Sequence, residues 1–179
     1  MKNRIIALSS IAVASLIAAP VIHADGHEEA PTIVEIALGN ENFTTLVQAV
    51  SKAGLVDALN GKRQFTVFAP TNDAFDAAAA AVLGDGATGP ELVDALDVAT
   101  LTDILLYHVA PGERFSEDVV GAERVRTMNK SFLFVDAESL SLLGIGSEAG
   151  LVLDLIDIDA SNGVVHVIDF VLLPFMLEE

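Results

Sequence analysis

The chain contains no cysteine and no tryptophan, and only one of its 179 residues is a tyrosine. The lack of cysteine excludes disulfides, thiolate metal sites, cysteine nucleophiles and a lipid anchor attached to cysteine. A fold without disulfides must be stabilised by its hydrophobic core, and 52% of the residues are hydrophobic. We therefore expect one globular domain with an extensive apolar interior.

Basic residues are also few, because nine lysines and arginines stand against 26 aspartates and glutamates. The formal net charge of −17 repels phosphate backbones and anionic lipid headgroups. We therefore expect no nucleic acid as a partner. The simplest interpretation of the charge is a solvated acidic surface rather than an acidic binding patch.

The first residues are typical of a secretory signal peptide. Lys2 and Arg4 precede an apolar run over residues 5–22, and the small residue Ala24 precedes the first acid. We predict that residues 1–24 are removed by cleavage after Ala24. The alternative is an uncleaved membrane anchor, but alanine, serine and proline dilute the run and no basic residues follow it.

The remaining chain divides into a polar tether over residues 25–31, a single domain over 32–175 and a short tail over 176–179. No internal repeat or low-complexity tract interrupts the domain. Cleavage would leave a protein without membrane insertion, secreted or located in the periplasm.

Helical and strand-like patterns occupy different halves of the chain. Apolar residues recur at helical spacing over 43–59, and Asp73 and the Thr100–Asp103 pair are predicted to cap two further helices. After residue 113 come short β-prone runs separated by glycine, asparagine and serine, among them 114–120 and 151–159. This segregation indicates an α+β fold with a helix-flanked antiparallel sheet or sandwich.

The Asn-Gly pair at 162–163, between two apolar runs, predicts a tight β-hairpin. A two-residue loop would place Asp159 opposite His166, whereas a four-residue loop over 160–163 would place Asp157 there. Either Asp–His contact would hold the strand register and requires no catalytic role. An EF-hand calcium loop fits this segment poorly, because its glycine and its last acid each miss by one position. A weaker divalent-ion site on the acidic surface stays open.

The catalytic inventory is sparse. Apart from the signal and tether, only His108 and His166 remain, and His108 continues the apolar face of its predicted helix, as a hydrogen-bonded core histidine does. Two distant histidines without a third ligand make a poor metal site. No Gly-x-Ser-x-Gly elbow or phosphate-binding glycine loop is present. We therefore predict no enzyme activity, no catalytic residues, no cofactor and no bound metal.

Three separated segments carry a family resemblance: FTVFAPTNDAF at 65–75, LLYHV at 105–109 and NGVVHVIDFVLLP at 162–174. Their order and spacing resemble the fasciclin domain family, with its first box, Tyr-His motif and second box. The resemblance implies a fasciclin-like α+β fold, in which a twisted antiparallel β-sandwich or wedge packs against several helices. It also implies an extracytoplasmic role in adhesion or matrix interaction.

The residues that match the two boxes are expected to specify the fold rather than to bind a ligand. Within these boxes, the residues assigned a structural role are Thr71, Asn72, Asp73, Asn162, Gly163, His166 and Asp169. Tyr107 and His108 match the Tyr-His motif, which the resemblance links to adhesion in animal proteins. They are therefore the candidate binding residues.

Two functional hypotheses follow. The first is an exported, non-catalytic module that contacts an envelope or matrix protein or a polysaccharide through a surface patch around Tyr107, with weak self-association as a further contact. The second is a periplasmic protein that binds a small ligand or a divalent ion in a pocket between helices and sheet.

Overall fold

The computed structural model describes residues 30–176, so the predicted signal peptide, most of the tether and residues 177–179 lie outside the described residues. The α+β class is confirmed. The helices are α1 (Ile33–Leu38), α2 (Thr44–Lys52), α3 (Val56–Leu59), α4 (Asn72–Leu83), α5 (Gly89–Ala95), α6 (Val98–Tyr107) and α7 (Ser116–Val120). The strands are β1 (Phe65–Pro70), β2 (Val109–Pro111), β3 (Arg124–Arg126), β4 (Phe132–Asp136), β5 (Ser141–Leu143), β6 (Glu148–Gly150), β7 (Ile158–Ala160) and β8 (Gly163–Ile168). None of the helices within residues 30–176 has the length and hydropathy that a membrane span requires.

The strands form two four-stranded sheets. Sheet 1 has the order β2-β1-β8-β7, and sheet 2 has the order β3-β4-β5-β6. The expected antiparallel arrangement is correct for all neighbouring strands except β1 and β8, which run parallel from the Phe65–Gly163 pair to the Pro70–Ile168 pair. Two parallel strands need a long crossover connection between them. Most of the domain's sequence separates β1 from β8 and provides this connection.

Sheet 1 lies between the helices α1 to α6 and sheet 2, so the domain has three layers, whereas α7 packs into the core beside sheet 2 through Val119. Phe65 and Val67 of β1 point into a core shared with the helices. Phe68 and Ile168 point into a second core against sheet 2. Side chains alternate along a strand, so each central strand contributes to both cores, and every residue of β1 and β8 is buried. Sheet 2 covers a core with only one of its faces.

Two predicted helix caps are wrong. Thr71, not Asp73, caps α4: its hydroxyl oxygen accepts a hydrogen bond from the Ala74 N–H at 3.2 Å. Asp73 lies exposed in the first turn, where its charge suits the positive end of the helix dipole. α6 begins after Asp97, whose carboxylate accepts hydrogen bonds from two backbone N–H groups. The Thr100–Asp103 pair therefore lies inside the helix.

Of the segments predicted as strands, 114–120 has a different structure, and 151–159 is a strand only at its end, where β7 begins. Residues 114–120 contain α7, whose first residue, Ser116, donates hydrogen bonds from its N–H and hydroxyl to the Asp157 carboxylate. Within 151–159, a 3₁₀ turn at Leu153–Leu155 interrupts the strand-like run. Local β-propensity gave the wrong structure for these residues because tertiary contacts override it there.

The β7–β8 hairpin has the register predicted for the four-residue loop. Ala160 pairs with Gly163, and Asp159 pairs with Val164 rather than with the histidine. Continued by one position, this register brings Asp157 opposite His166, although Asp157 has left the strand and has a φ of +56°.

Candidate functional site

His108 is the C-terminal cap of α6, directly after Tyr107, and it is only 2% exposed. Its Nδ1 lies 2.7 Å from the Ile104 carbonyl oxygen, and its Nε2 lies 2.9 Å from the backbone nitrogen of Leu172. A carbonyl can only accept and a backbone N–H can only donate, so the ring is neutral with its proton on Nδ1. His108 thereby joins the end of α6 to the chain that follows β8.

Burial determines the charge state of this histidine. The loss of solvation on burial lowers the pKa of His108 from 6.5 to about 4, although the hydrogen bond to the Ile104 carbonyl favours the protonated form. His108 is therefore a neutral structural residue at physiological pH.

His166 lies in the middle of β8 and is 1% exposed. Its Nε2 lies 2.9 Å from the Arg114 carbonyl oxygen, and its Nδ1 accepts the Asp157 N–H at 3.2 Å. This ring is neutral with its proton on Nε2, the opposite tautomer to His108. It also stacks on Phe68, with the ring centroids 5.8 Å apart.

The Asp157–His166 contact of the hairpin is made mainly through the aspartate backbone. The carboxylate lies 3.8 Å from the imidazole Nδ1, and its oxygens accept hydrogen bonds from the N–H and hydroxyl of Ser116. Burial lowers the pKa of His166, against the opposing effects of the Arg114 carbonyl and the Asp157 charge. The pair is thus an anchor for α7 rather than an ion pair poised for catalysis.

The two histidines do not form a common site. Their hydrogen-bond partners are different, and both rings lie in the interior. Within residues 30–176, no group of three or more histidine, cysteine, aspartate or glutamate side chains is arranged to hold a metal ion. Both imidazoles therefore make structural contacts with backbone groups of the interior.

The polar residues of the first box connect helices. The Asn72 amide oxygen accepts hydrogen bonds from the Thr44 hydroxyl at 3.1 Å and the Thr45 N–H at 3.0 Å. Its amide nitrogen donates to the Glu41 carbonyl at 2.8 Å. Asn72 thus ties the start of α4 to the start of α2, next to the Thr71 cap.

The polar residues of the second box connect more distant parts of the fold. The buried Asn162 side chain accepts the Ile33 N–H at 2.9 Å and donates to the carbonyls of Leu59 and Gly61 at 2.7 and 3.0 Å. It holds the hairpin against α1 and α3. Asp169 accepts the Gly150 N–H at 2.6 Å and so joins the end of β8 to the edge of sheet 2.

Tyr107 is the largest fully buried side chain among the described residues. Its ring lies in the core beneath sheet 2, and its hydroxyl donates a hydrogen bond to the Phe132 carbonyl oxygen at 3.0 Å. The predicted surface patch around the Tyr107 side chain is therefore wrong, because that side chain has no exposed area. The Tyr107 side chain contacts β4 on the side of the strand that faces the core.

The opposite side of the same strand is exposed and apolar. Phe132 and Phe134 are 39% and 54% exposed, and Leu143 beside them on β5 is 36% exposed. Directly paired residues share one face of a sheet, so a row crosses sheet 2 in the order Arg124, Phe134, Leu143 and Glu148. We call the solvent side of sheet 2 the outer face, formed by Arg124, Arg126, Phe132, Phe134, Asp136, Leu143 and Glu148.

The outer face has the features of a contact surface. Exposed apolar side chains that adjoin one another are typical of interaction sites, whereas scattered ones are not. The Arg124 guanidinium carbon lies 4.7 Å from the centroid of the Phe132 ring, a cation–π arrangement at the surface. Arginine and phenylalanine side chains are also enriched in protein interfaces.

A cavity of about 110 Å³ lies between the helices α1, α2 and α3 and sheet 1. Its lining is almost entirely apolar and includes Ile33, Leu46, Val50, Val67 and Leu105, with His108 also at its wall. An apolar cavity of this size can hold a small hydrophobic molecule rather than water.

Comparison with known proteins decides the family. The Fasciclin domain model matches residues 41–174. The chain belongs to the fasciclin domain family. This fasciclin domain is also 42% identical over 149 residues to Protein sll1483 of Synechocystis sp., covering 83% of this chain and 77% of that protein.

More distant relatives share only part of their length with this fasciclin domain. It is 34% identical over 143 residues to transforming growth factor-beta-induced protein ig-h3 of Sus scrofa, covering 80% of this chain but 19% of that protein. A solved FAS1 domain pair from the insect cell adhesion molecule fasciclin I has the same fold, with a TM-score of 0.67 at 20% identity. That match covers 81% of this chain and 51% of the solved chain.

The sequence patterns did not identify the outer face of this fasciclin domain. The run Phe132-Leu133-Phe134 places two aromatic residues on the side opposite to the buried Leu133. Such alternation is visible in the sequence, but which side of the strand is buried depends on the packing of sheet 2 against sheet 1.

Proposed function

We propose that this fasciclin domain is an exported, non-catalytic adhesion module that contacts a protein or a polysaccharide of the cell envelope or matrix. The observation that carries the proposal is the outer face, an exposed apolar surface that includes arginines on an otherwise acidic protein. Family membership supports it, because the insect protein with the same fold is a cell adhesion molecule.

The buried motif residues support the non-catalytic part of the proposal. Tyr107, His108 and His166 make hydrogen bonds to backbone groups inside the domain, and none of them faces solvent. The N-terminal basic and apolar pattern supports export, followed by residence in the periplasm or outside the cell. In this proposal Tyr107 acts indirectly, by holding the strand that carries Phe132 and Phe134.

A binding screen tests the adhesion proposal. The mature protein is immobilised and exposed to solubilised envelope components and to a panel of polysaccharides. We expect at least one component to bind more tightly than ~1 mM, and Phe134→Ser to weaken that binding at least tenfold. Lys62→Glu, a change at an exposed position outside sheet 2, is the control and should have no effect. The proposal fails if nothing binds or if Phe134→Ser binds as the wild type does.

The apolar cavity favours a second candidate function, the binding of a small hydrophobic ligand. Benzene and n-pentanol are suitable probes, and a ligand at ~100 times its dissociation constant should stabilise the domain by about 2.7 kcal/mol. Thermal unfolding with and without each probe measures this. Val50→Phe should fill the cavity and remove the stabilisation. Unchanged melting of the wild-type protein with both probes would exclude this function.

A further inference from the structure

We propose that the outer face is a self-association surface and that its occupant is a second copy of this chain. The inference rests on the proposed adhesion function and deepens it by naming the partner. It follows from the order of residues across sheet 2, where a positive charge, two apolar side chains and a negative charge succeed one another.

This row is complementary to itself. Consider a two-fold axis that runs parallel to the strands, in front of the outer face and level with the gap between β4 and β5. Rotation about it would place the outer faces of two copies against each other. Arg124 would then face the partner's Glu148, and Phe134 would face the partner's Leu143. Each contact would occur twice, as in every interface with two-fold symmetry.

The charges of the outer face allow this approach. The chain as a whole carries a formal charge of −17, so two copies repel each other over most of their surface. On the outer face, the arginines Arg124 and Arg126 balance the acids Asp136 and Glu148. This is therefore a locally neutral, partly apolar surface on which two acidic molecules can meet.

Arg124 and Glu148 are both available for an intermolecular contact. They lie on opposite edge strands of sheet 2, three strand spacings or ~14 Å apart, and so cannot pair within one chain. The Ser141 hydroxyl donates a hydrogen bond to the Glu148 carboxylate at 2.7 Å, which holds this charge beside Leu143 on the outer face.

Other occupants fit the outer face less well. An anionic polymer would be attracted by the arginines but repelled by Glu148 and Asp136 at the other side of the face. Pairing through the exposed edges of β3 or β6 would leave Phe134 and Leu143 in water. The strands of sheet 2 are short, so the contact area falls at the lower end for specific complexes and the dimer should be weak.

Analytical ultracentrifugation from ~10 µM to ~1 mM tests the inference. We expect a reversible dimer of the wild-type protein, and a dissociation constant at least tenfold higher for Arg124→Glu and for Glu148→Arg. An equimolar mixture of the two variants should dimerise again, because each altered charge then faces an opposite one. The chain that carries both substitutions should also regain the dimer.

Matched controls separate this effect from net charge and from misfolding. Lys62→Glu and Asp85→Arg make the same charge changes at exposed positions outside sheet 2 and should leave the dimer unchanged. Unaltered melting temperatures would show that the Arg124 and Glu148 variants are folded. The inference would be overturned if the wild-type protein stayed monomeric at every concentration. It would also be overturned if neither charge reversal weakened the dimer, or if the mixture of the two variants did not dimerise.

The same variants distinguish the inference from the adhesion function on which it rests. If the protein is monomeric but Phe134→Ser still abolishes binding to an envelope component, the adhesion function stands and the second copy is the wrong occupant. If Phe134→Ser changes neither dimerisation nor envelope binding, both proposals fail.

Discussion

Gly163→Ala is expected to destabilise the domain by more than ~4 kcal/mol, a severe effect for the addition of one methyl group. Gly163 has a φ of +145°, and a Cβ there would lie 1.9 Å from the Phe65 carbonyl oxygen and 2.8 Å from the Phe65 carbonyl carbon. Phe65 belongs to β1, which is paired with β2 on one side and β8 on the other. The backbone therefore cannot move away without loss of pairing at the centre of sheet 1.

Gly54→Ala is the matched control for this prediction. Gly54 also has a positive φ, +69°, but nothing lies within 4 Å of the position that its Cβ would take. That substitution should cost about 1 kcal/mol from backbone conformation alone. Urea unfolding of the two variants measures the difference. Equal losses would show that the contact with β1 is not what requires glycine at position 163.

Acidification from about pH 6.5 to pH 4 is expected to remove up to ~3 kcal/mol of stability through His108 alone. The unfolded chain binds a proton at this residue below about pH 6.5, whereas the folded protein binds it only below about pH 4. Proton uptake by His108 thus favours unfolding throughout this pH window. The stability that the neutral ring contributes is fully present above about pH 6.5. Once pH is below about 4, both states are protonated and this residue adds no further loss.

The measurement is the free energy of unfolding in urea at several pH values for the wild type and for His108→Gln. The variant is less stable at neutral pH, because glutamine cannot reproduce both hydrogen bonds of the buried ring. Its stability should nevertheless decline less steeply between pH 6.5 and 4. Parallel curves for the two proteins would contradict a depressed pKa of His108 in the folded state.

Much of the scaffold was predictable because its determinants are local. The strand at residues 65–70, the helix that follows it and the hairpin before His166 all rest on short patterns of propensity and turn residues. Even here, the reason for Gly163 differs from the expected turn preference. The residue pairs with Ala160 at the end of the turn, and its missing side chain makes room for β1.

The proposed contact surface was not predictable from the sequence because its determinants are tertiary. Tyr107 sits on a helix, and helical periodicity does not reveal that sheet 2 covers that part of the domain. The adhesion-linked motif therefore pointed to a buried tyrosine, while the exposed phenylalanines lie on the far side of the strand that it supports. Likewise, the self-complementary row exists only because four strands pair in sheet 2, and local sequence patterns do not reveal that pairing.

The central claim is that the polar motif residues shape the domain and that the outer face of sheet 2 makes its contacts. The most direct test compares binding per folded molecule to solubilised native envelope for Phe134→Ser and for His166→Asn, with the folded fraction taken from thermal unfolding. The account predicts that His166→Asn melts at a lower temperature but binds as the wild type does, whereas Phe134→Ser melts normally and binds at least tenfold more weakly. A fully stable His166→Asn protein that has lost binding, beside a Phe134→Ser protein that retains it, would contradict the account.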